Sequence, residues 1–215
     1  DKWNEESEAK KIIESNIYGV DVNPESVAVT KLALFLKIAE RGKKLSGLTN
    51  NIKVGNSLIS DKSIDEMAFD WEVQFPEKFD IVIGNPPYIS NWQLSKNDRK
   101  VVEYLDKEYS DITMGHWDLY IIFIRKGLCL LKKGGYLSFI VPSSFFMEKY
   151  GKKLRELIVK DYSLDSLVDF GIEGIFDDVA RQYAVFNIQN MLNKENLTKI
   201  FRFKKKQFLE LDSIK

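Results

Sequence analysis

The run Phe79-Asp80-Ile81-Val82-Ile83-Gly84, followed at once by Asn85-Pro86-Pro87-Tyr88, constrains this chain more than any other segment. Its apolar residues predict a buried strand, and two consecutive prolines remove two backbone N–H donors, so a sheet ladder has to end there. That stop puts Asn85 and Tyr88 at the carboxyl edge of the strand. Around it the sequence supplies a sheet. Residues 17–21 form a short apolar run, Asn23-Pro24 offers an N-cap and a first-turn proline, and the nearly continuous apolar sequence of 24–39 predicts a helix packed heavily on strands. A second strand is expected at 51–55. Trp117, Tyr120, Ile121, Ile124, Leu128 and Leu131 recur at helical spacing, and Lys132-Lys133-Gly134-Gly135 reads as a basic last turn with a glycine stop. Strands at 136–141, 164–170 and 182–188 and a helix at 149–160 complete the pattern. Alternating strands and helices predict an α/β fold, a doubly wound, mostly parallel sheet with helices on both faces. The charged stretch 90–112 reads as an inserted loop, a solvated one before one that touches a partner.

Composition excludes several classes. The 215 residues carry one Cys and one His, too few for a disulfide framework or for a zinc cluster built on thiolates or imidazoles, and no acid cluster suggests a metal. No apolar run approaches the roughly 18 to 20 residues of a membrane span. The start lacks a signal-peptide pattern, so a reduced, cytoplasmic protein is expected. The 32 basic and 32 acidic residues cancel, which leaves no global field to hold nucleic acid. The first 80 residues hold 11 basic and 15 acidic groups and the rest 21 and 17, so a modest basic bias lies downstream.

The chemistry centres on Asn85, Pro86, Pro87 and Tyr88. Asn85 offers a neutral amide oxygen, the Pro-Pro pair holds out the Pro86 carbonyl, and Tyr88 supplies a flat aromatic face. Two acceptors beside a stacking surface suit a planar amine whose lone pair is delocalised. Accepting both of its protons favours a pyramidal nitrogen and stabilises the positive charge that grows as it attacks an electrophilic methyl.

The Asn-Pro-Pro-Tyr segment resembles the catalytic motif of S-adenosylmethionine-dependent amino-methyltransferases, in particular the DNA adenine-N6 enzymes of restriction-modification systems. Further segments extend the likeness in order. Gly19-Val20-Asp21-Val22-Asn23-Pro24 resembles the family's second motif, which implies that Asp21, with Val22 beside it, binds the cofactor's ribose. Val54-Gly55-Asn56-Ser57-Leu58 resembles the third, where an acid usually accepts from the cofactor's adenine; Asn56 stands in its place, next to Ser57. Asp118-Leu119-Tyr120, Gly134-Gly135-Tyr136 and 140–144 resemble the fifth and sixth, and place Phe123 at the cofactor pocket. Gly174-Ile175-Phe176-Asp177-Asp178 resembles the eighth, in which Phe176 packs against an extruded base opposite Tyr88. A target adenine would have to leave the duplex for its N6 to reach the sulfonium methyl.

The resemblance implies a Rossmann-like methyltransferase fold over residues 1–215, with S-adenosylmethionine as cofactor and double-stranded DNA as partner. No glycine-rich first motif is found. The expectation is therefore a partial catalytic domain that lacks its first strand, taken from a fused type II restriction-modification enzyme of a prokaryotic cell, with target recognition and nuclease domains outside this chain. The basic residues Lys199, Arg202, Lys204, Lys205 and Lys206 read as a solvated strand and linker, so DNA specificity is expected from another domain or subunit. The oligomeric state is not legible. Two other readings stay open: a protein glutamine-amide methyltransferase, because the same acceptors serve any planar amide, and a non-catalytic module that contributes only DNA or subunit contacts. Cys129, among leucines, reads as a buried small hydrophobe, and His116 as a surface or capping residue.

Overall fold

A computed structural model describes residues 5–38, 50–171 and 182–202. The chain divides into two compact units, residues 1–76 and 77–215.

In the first unit, helix α1 (Glu5–Asn16) leads to strand β1 (Gly19–Asp21), helix α2 (Pro24–Ile38), strand β2 (Ile52–Val54) and the short helix α3 (Trp71–Gln74). β1 and β2 pair in parallel, Asp21 opposite Val54. Asn23 starts α2 as expected, its Oδ1 accepting the Glu25 N–H at 2.8 Å and satisfying a donor that the helix leaves unpaired. The heavy packing expected of α2 is not found. Val27 is buried, but Val29, Leu32 and Leu36 are 66%, 56% and 66% exposed. A helix that is apolar nearly all round can turn only one side to a two-stranded sheet. The unit's core is instead Val27, Ile52, Leu58, Ile59 and Phe69, with Phe69, Trp71 and Phe75 ringed together.

The second unit contains strand β3 (Phe79–Gly84), helices α4 (Asn91–Asn97), α5 (Arg99–Glu108) and α6 (Leu119–Leu130), strand β4 (Leu131–Pro142), helix α7 (Lys152–Asp161), and strands β5 (Ser163–Asp169), β6 (Tyr183–Gln189) and β7 (Lys199–Arg202). They form one sheet in the order β3-β4-β6-β5-β7. β3 is parallel to β4 and β5 to β7, while β6 runs antiparallel to both its neighbours. The expected mostly parallel sheet is thus present in part: four of the five strands share one direction, and the reversed β6 makes two of the four pairings antiparallel.

The centre is α6 against β3 and β4. Tyr120, Ile121, Ile122, Ile124 and Leu128 are essentially fully buried. Gly127 lets the sheet approach, since a Cβ there would lie 2.6 Å from Leu137 Cδ1. Val82 belongs to this packed side, whereas Ile81 and Ile83, expected in a buried strand, are 65% and 76% exposed. β3 is the edge of its sheet, and the pleat turns alternate residues away from α6.

Three further expectations are corrected. Residues 90–112 are mostly helical: Ser90 and Gln93 close a capping box on α4, Asp98 caps α5, and Val102 and Leu105 are buried. α6 ends at Leu130, and 132–135 bulge from β4 instead of finishing the helix, with Gly134 at φ +83° and the Asn190 amide donating to the Leu131 and Lys132 carbonyls. Cys129 is exposed, one helical turn beyond Arg125 on the outer side of α6. Among the described residues no helix is long and apolar enough to cross a membrane, and no three His, Cys, Asp or Glu side chains group as metal ligands.

Candidate functional site

β3 delivers Asn85 to Tyr88 at its carboxyl end, with Pro86 buried and Asn85 and Pro87 exposed. Gly84 passes close to the sheet interior, since a Cβ there would lie 3.1 Å from the Phe139 ring. The loop is also fixed at its exit. Ser90 and Asp118 form an antiparallel bridge, the Leu119 N–H donates to the Ile89 carbonyl at 2.7 Å, and the Asn91 N–H to that of Trp117 at 2.8 Å. Asn91 Nδ2 adds a bond to the Gly115 carbonyl. Trp117 is 1% exposed, and its indole N–H donates to Asp106 Oδ1 at 2.7 Å. A strand on one side and a bridged, buried tryptophan on the other therefore hold the short Pro-Pro turn.

Within the turn, the Tyr88 hydroxyl donates to Asn85 Oδ1 at 2.5 Å and lies 3.3 Å from the Ile140 carbonyl. A phenol has one proton, and the shorter contact takes it. The bond aims the Asn85 amide so that its oxygen is an acceptor, and that oxygen keeps a second lone pair for an incoming N–H. The Tyr88 ring packs 5.6 Å from Tyr183 at 42° and 6.2 Å from Tyr120 at 79°. Burial, then the bond to Tyr150, pushes the Tyr120 hydroxyl far above its ordinary range, and burial also raises that of Tyr150. Both stay neutral phenols near neutral pH, available as hydrogen-bond donors and unavailable as bases.

The expected cofactor residues fall into both units. In the first, Asp21 ends β1 and Asn56 lies two residues past the end of β2, and the Gly55 N–H between them donates to the Asp21 carbonyl at 2.9 Å. Asp21 is exposed, its Oδ1 fixed by the Asn23 N–H at 2.7 Å. Val22 is exposed beside it. Asn56 is committed within its own loop: Nδ2 donates to Asp65 Oδ2 at 2.7 Å, and Oδ1 accepts from the Leu58 N–H at 3.1 Å. The Ser57 carbonyl accepts the Trp71 indole N–H. Phe123 is half-buried on α6, in the unit that carries the Asn85–Tyr88 loop. Phe176 lies outside the described residues, as do Lys204, Lys205 and Lys206.

The Eco57I restriction-modification methylases match residues 15–176. The chain belongs to that family. It is 30% identical over 200 residues to the type II restriction enzyme and methyltransferase RM.Eco57I of Escherichia coli, covering 87% of this chain and 20% of that protein. To the type II methyltransferase M.HincII of Haemophilus influenzae it is 28% identical over 155 residues, covering 70% and 30%. The chain thus spans less than a third of each of these relatives. Among solved structures, the DrdV–DNA complex matches with a TM-score of 0.68 at 17% identity over 95% of this chain and 23% of that one. The M protein of the type I restriction enzyme EcoKI matches at 0.58 and 15% over 95% and 40%. These likenesses establish the fold, a Rossmann-like α/β methyltransferase architecture.

Sequence reasoning missed Tyr150 and Tyr183. Tyr183 opens a recognisable strand, and its place beside Tyr88 follows only once β6 pairs with β4, Tyr183 opposite Pro142. The sequence pattern places Tyr150 in a helix over 149–160, whereas it sits in a single 3-10 turn, Lys149–Gly151, ahead of α7.

Proposed function

We propose that this chain carries the methyl-transfer site of a restriction-modification enzyme that methylates the N6 amine of an adenine extruded from double-stranded DNA. The observation that carries the reading is the aimed Asn85 amide oxygen at the end of β3, with the Tyr88 ring beside it and no titrating base required. Asn85 Oδ1 and the Pro86 carbonyl accept hydrogen bonds from the two amine N–H groups, so the nitrogen lone pair is directed at an electrophile and the developing cation is stabilised in place. Tyr88 offers its ring to the base, with Phe176 as the expected opposite face. S-adenosylmethionine, when bound, supplies the electrophilic methyl. Asp21 fits this cofactor: it is an exposed carboxylate at a strand end, held by the neighbouring Asn23 N–H, with no described residue on its Oδ2, as a diol partner requires. Asn56 fits less fully, because both ends of its amide already bond within the loop, and only a second lone pair on Oδ1 is left for an adenine amine. Target specificity is assigned to another domain or subunit, in keeping with a chain of no net charge.

The test is to incubate the full-length protein with S-adenosylmethionine and mixed-sequence duplex DNA, then to digest the DNA to nucleosides for mass spectrometry. N6-methyladenine is expected. Methylated cytosine, or methylated glutamine in protein with unmodified DNA, would overturn the choice of substrate. Absence of any methylated product would favour a non-catalytic module.

A further inference from the structure

Asp118 precedes α6 at the N-cap position, yet its side chain makes no capping bond. Its Oδ2 accepts the Tyr150 hydroxyl at 3.2 Å instead. Tyr150 and Tyr120 hydroxyl oxygens are 2.8 Å apart. Since the single Tyr150 proton is committed to Asp118, Tyr120 must donate to Tyr150, and the polarity of the chain is fixed as Tyr120 to Tyr150 to Asp118. The Ser144 hydroxyl is a further partner of the two phenols. Both ends of this chain meet the catalytic turn. Asp118 is bridged through its backbone to Ser90, directly after the turn, and the fully buried Tyr120 ring stands 6.2 Å from that of Tyr88, edge on.

We infer that Tyr150 is a positioning residue for the amine methylation assigned above, and this role rests on that reading. Its hydroxyl ties the segment that closes the catalytic turn to the ring that backs Tyr88, so the stacking face and the Asn85 acceptor are held in one geometry before substrate arrives. Three elements supply the parts: the stretch before α6, α6 itself, and the 3-10 turn before α7. Tyr150 is only partly buried and lines an open cavity of about 540 Å³ with Met114, His116 and Met147, so the position is not one the core needs filled. A partly buried phenol at the rim of a cavity, whose one proton runs to the carboxylate of Asp118, is explained by orientation more than by packing.

The experiment uses the full-length protein with Tyr150→Phe, Asp118→Asn and Asp118→Ala, measuring kcat, KM for duplex DNA, the Kd for S-adenosylmethionine, and the fluorescence of 2-aminopurine at the target position. Misorientation of a bound substrate costs rate, so Tyr150→Phe should lower kcat about tenfold or more. The cofactor Kd should stay within about twofold, with weaker 2-aminopurine emission from a less ordered flipped base. Asp118→Asn keeps an acceptor and should retain most of kcat, while Asp118→Ala should fall with Tyr150→Phe. An active wild type whose Tyr150→Phe variant matches it in kcat would overturn the positioning role alone. Equal losses in Asp118→Asn and Asp118→Ala would overturn it too. A wild type with no methyl transfer would overturn the functional reading and the positioning role with it.

Discussion

Replacing Trp117 by Phe tests how the Asn85–Tyr88 turn is anchored. Trp117 is 1% exposed, its indole N–H bonds Asp106 Oδ1 at 2.7 Å, and its carbonyl receives the Asn91 N–H just past the turn. The substitution keeps the backbone bonds and removes one hydrogen bond and part of a buried ring. A bond to a charged group contributes about 1.5 to 3 kcal/mol, but Asp106 is exposed and can rehydrate, which selects the lower end. The lost ring volume adds roughly 1 to 2 kcal/mol, a part of the full Trp→Ala cost. A total of about 2.5 to 3.5 kcal/mol should lower Tm by about 5 to 14 °C in a protein of this size. Circular dichroism in urea measures it without relying on the removed indole. Asp106→Asn, which keeps an acceptor, should cost under about 1 kcal/mol. A loss below about 0.5 kcal/mol in Trp117→Phe, or an Asp106→Asn loss as large as that of Trp117→Phe, would refute the assigned anchor.

The raised hydroxyls of Tyr109 and Tyr120, set chiefly by burial, mean the folded state holds their protons where the unfolded chain, titrating near 10.0, releases them. Their stabilising contribution is complete below pH 10 and is lost as pH rises above it, at up to about 1.4 kcal/mol per pH unit for each tyrosine; denaturation midpoints should be flat in this respect from pH 7 to 9 and fall steeply beyond 10. Cys129 is exposed with Arg125 Nη1 2.6 Å from its sulfur, so a thiol reagent should modify one cysteine per native chain, and protection until unfolding would contradict the exposed placement. At Gly135 a Cβ would lie 2.8 Å from the Asp80 carbonyl oxygen and 3.1 Å from two others, all backbone atoms that cannot rotate aside. Gly135→Ala should therefore destabilise by about 1 to 3 kcal/mol in a urea titration, and a neutral result would show that the β3–β4 bulge opens freely.

The turn at Asn85 was legible because proline restricts the backbone locally, whatever surrounds it. The same holds for the Asn23 cap. The order of strands and helices was legible as a pattern, but strand direction was not: β6 has the same alternation whether parallel or reversed, and only its pairing with β4 and β5 fixes it. Burial also escaped sequence reasoning, since the apolar sides of α2 and of Ile81 and Ile83 say that something could cover them, not what does. Residues 90–112 hid two helices under their charges, although the Ser90–Gln93 box and the spacing of Val102 and Leu105 were present in the sequence. The Tyr120–Tyr150–Asp118 chain joins residues up to 32 positions apart, and no local pattern encodes it.

The central claim is that Asn85 accepts from a target amine. Its most direct test is methyl transfer from labelled S-adenosylmethionine to duplex DNA by the full-length protein and its Asn85→Ala variant, with cofactor binding followed by calorimetry. Loss of one aimed transition-state partner predicts a fall in kcat of about 10² to 10³, with the cofactor Kd nearly unchanged. A variant that transfers methyl groups at the wild-type rate would contradict the account.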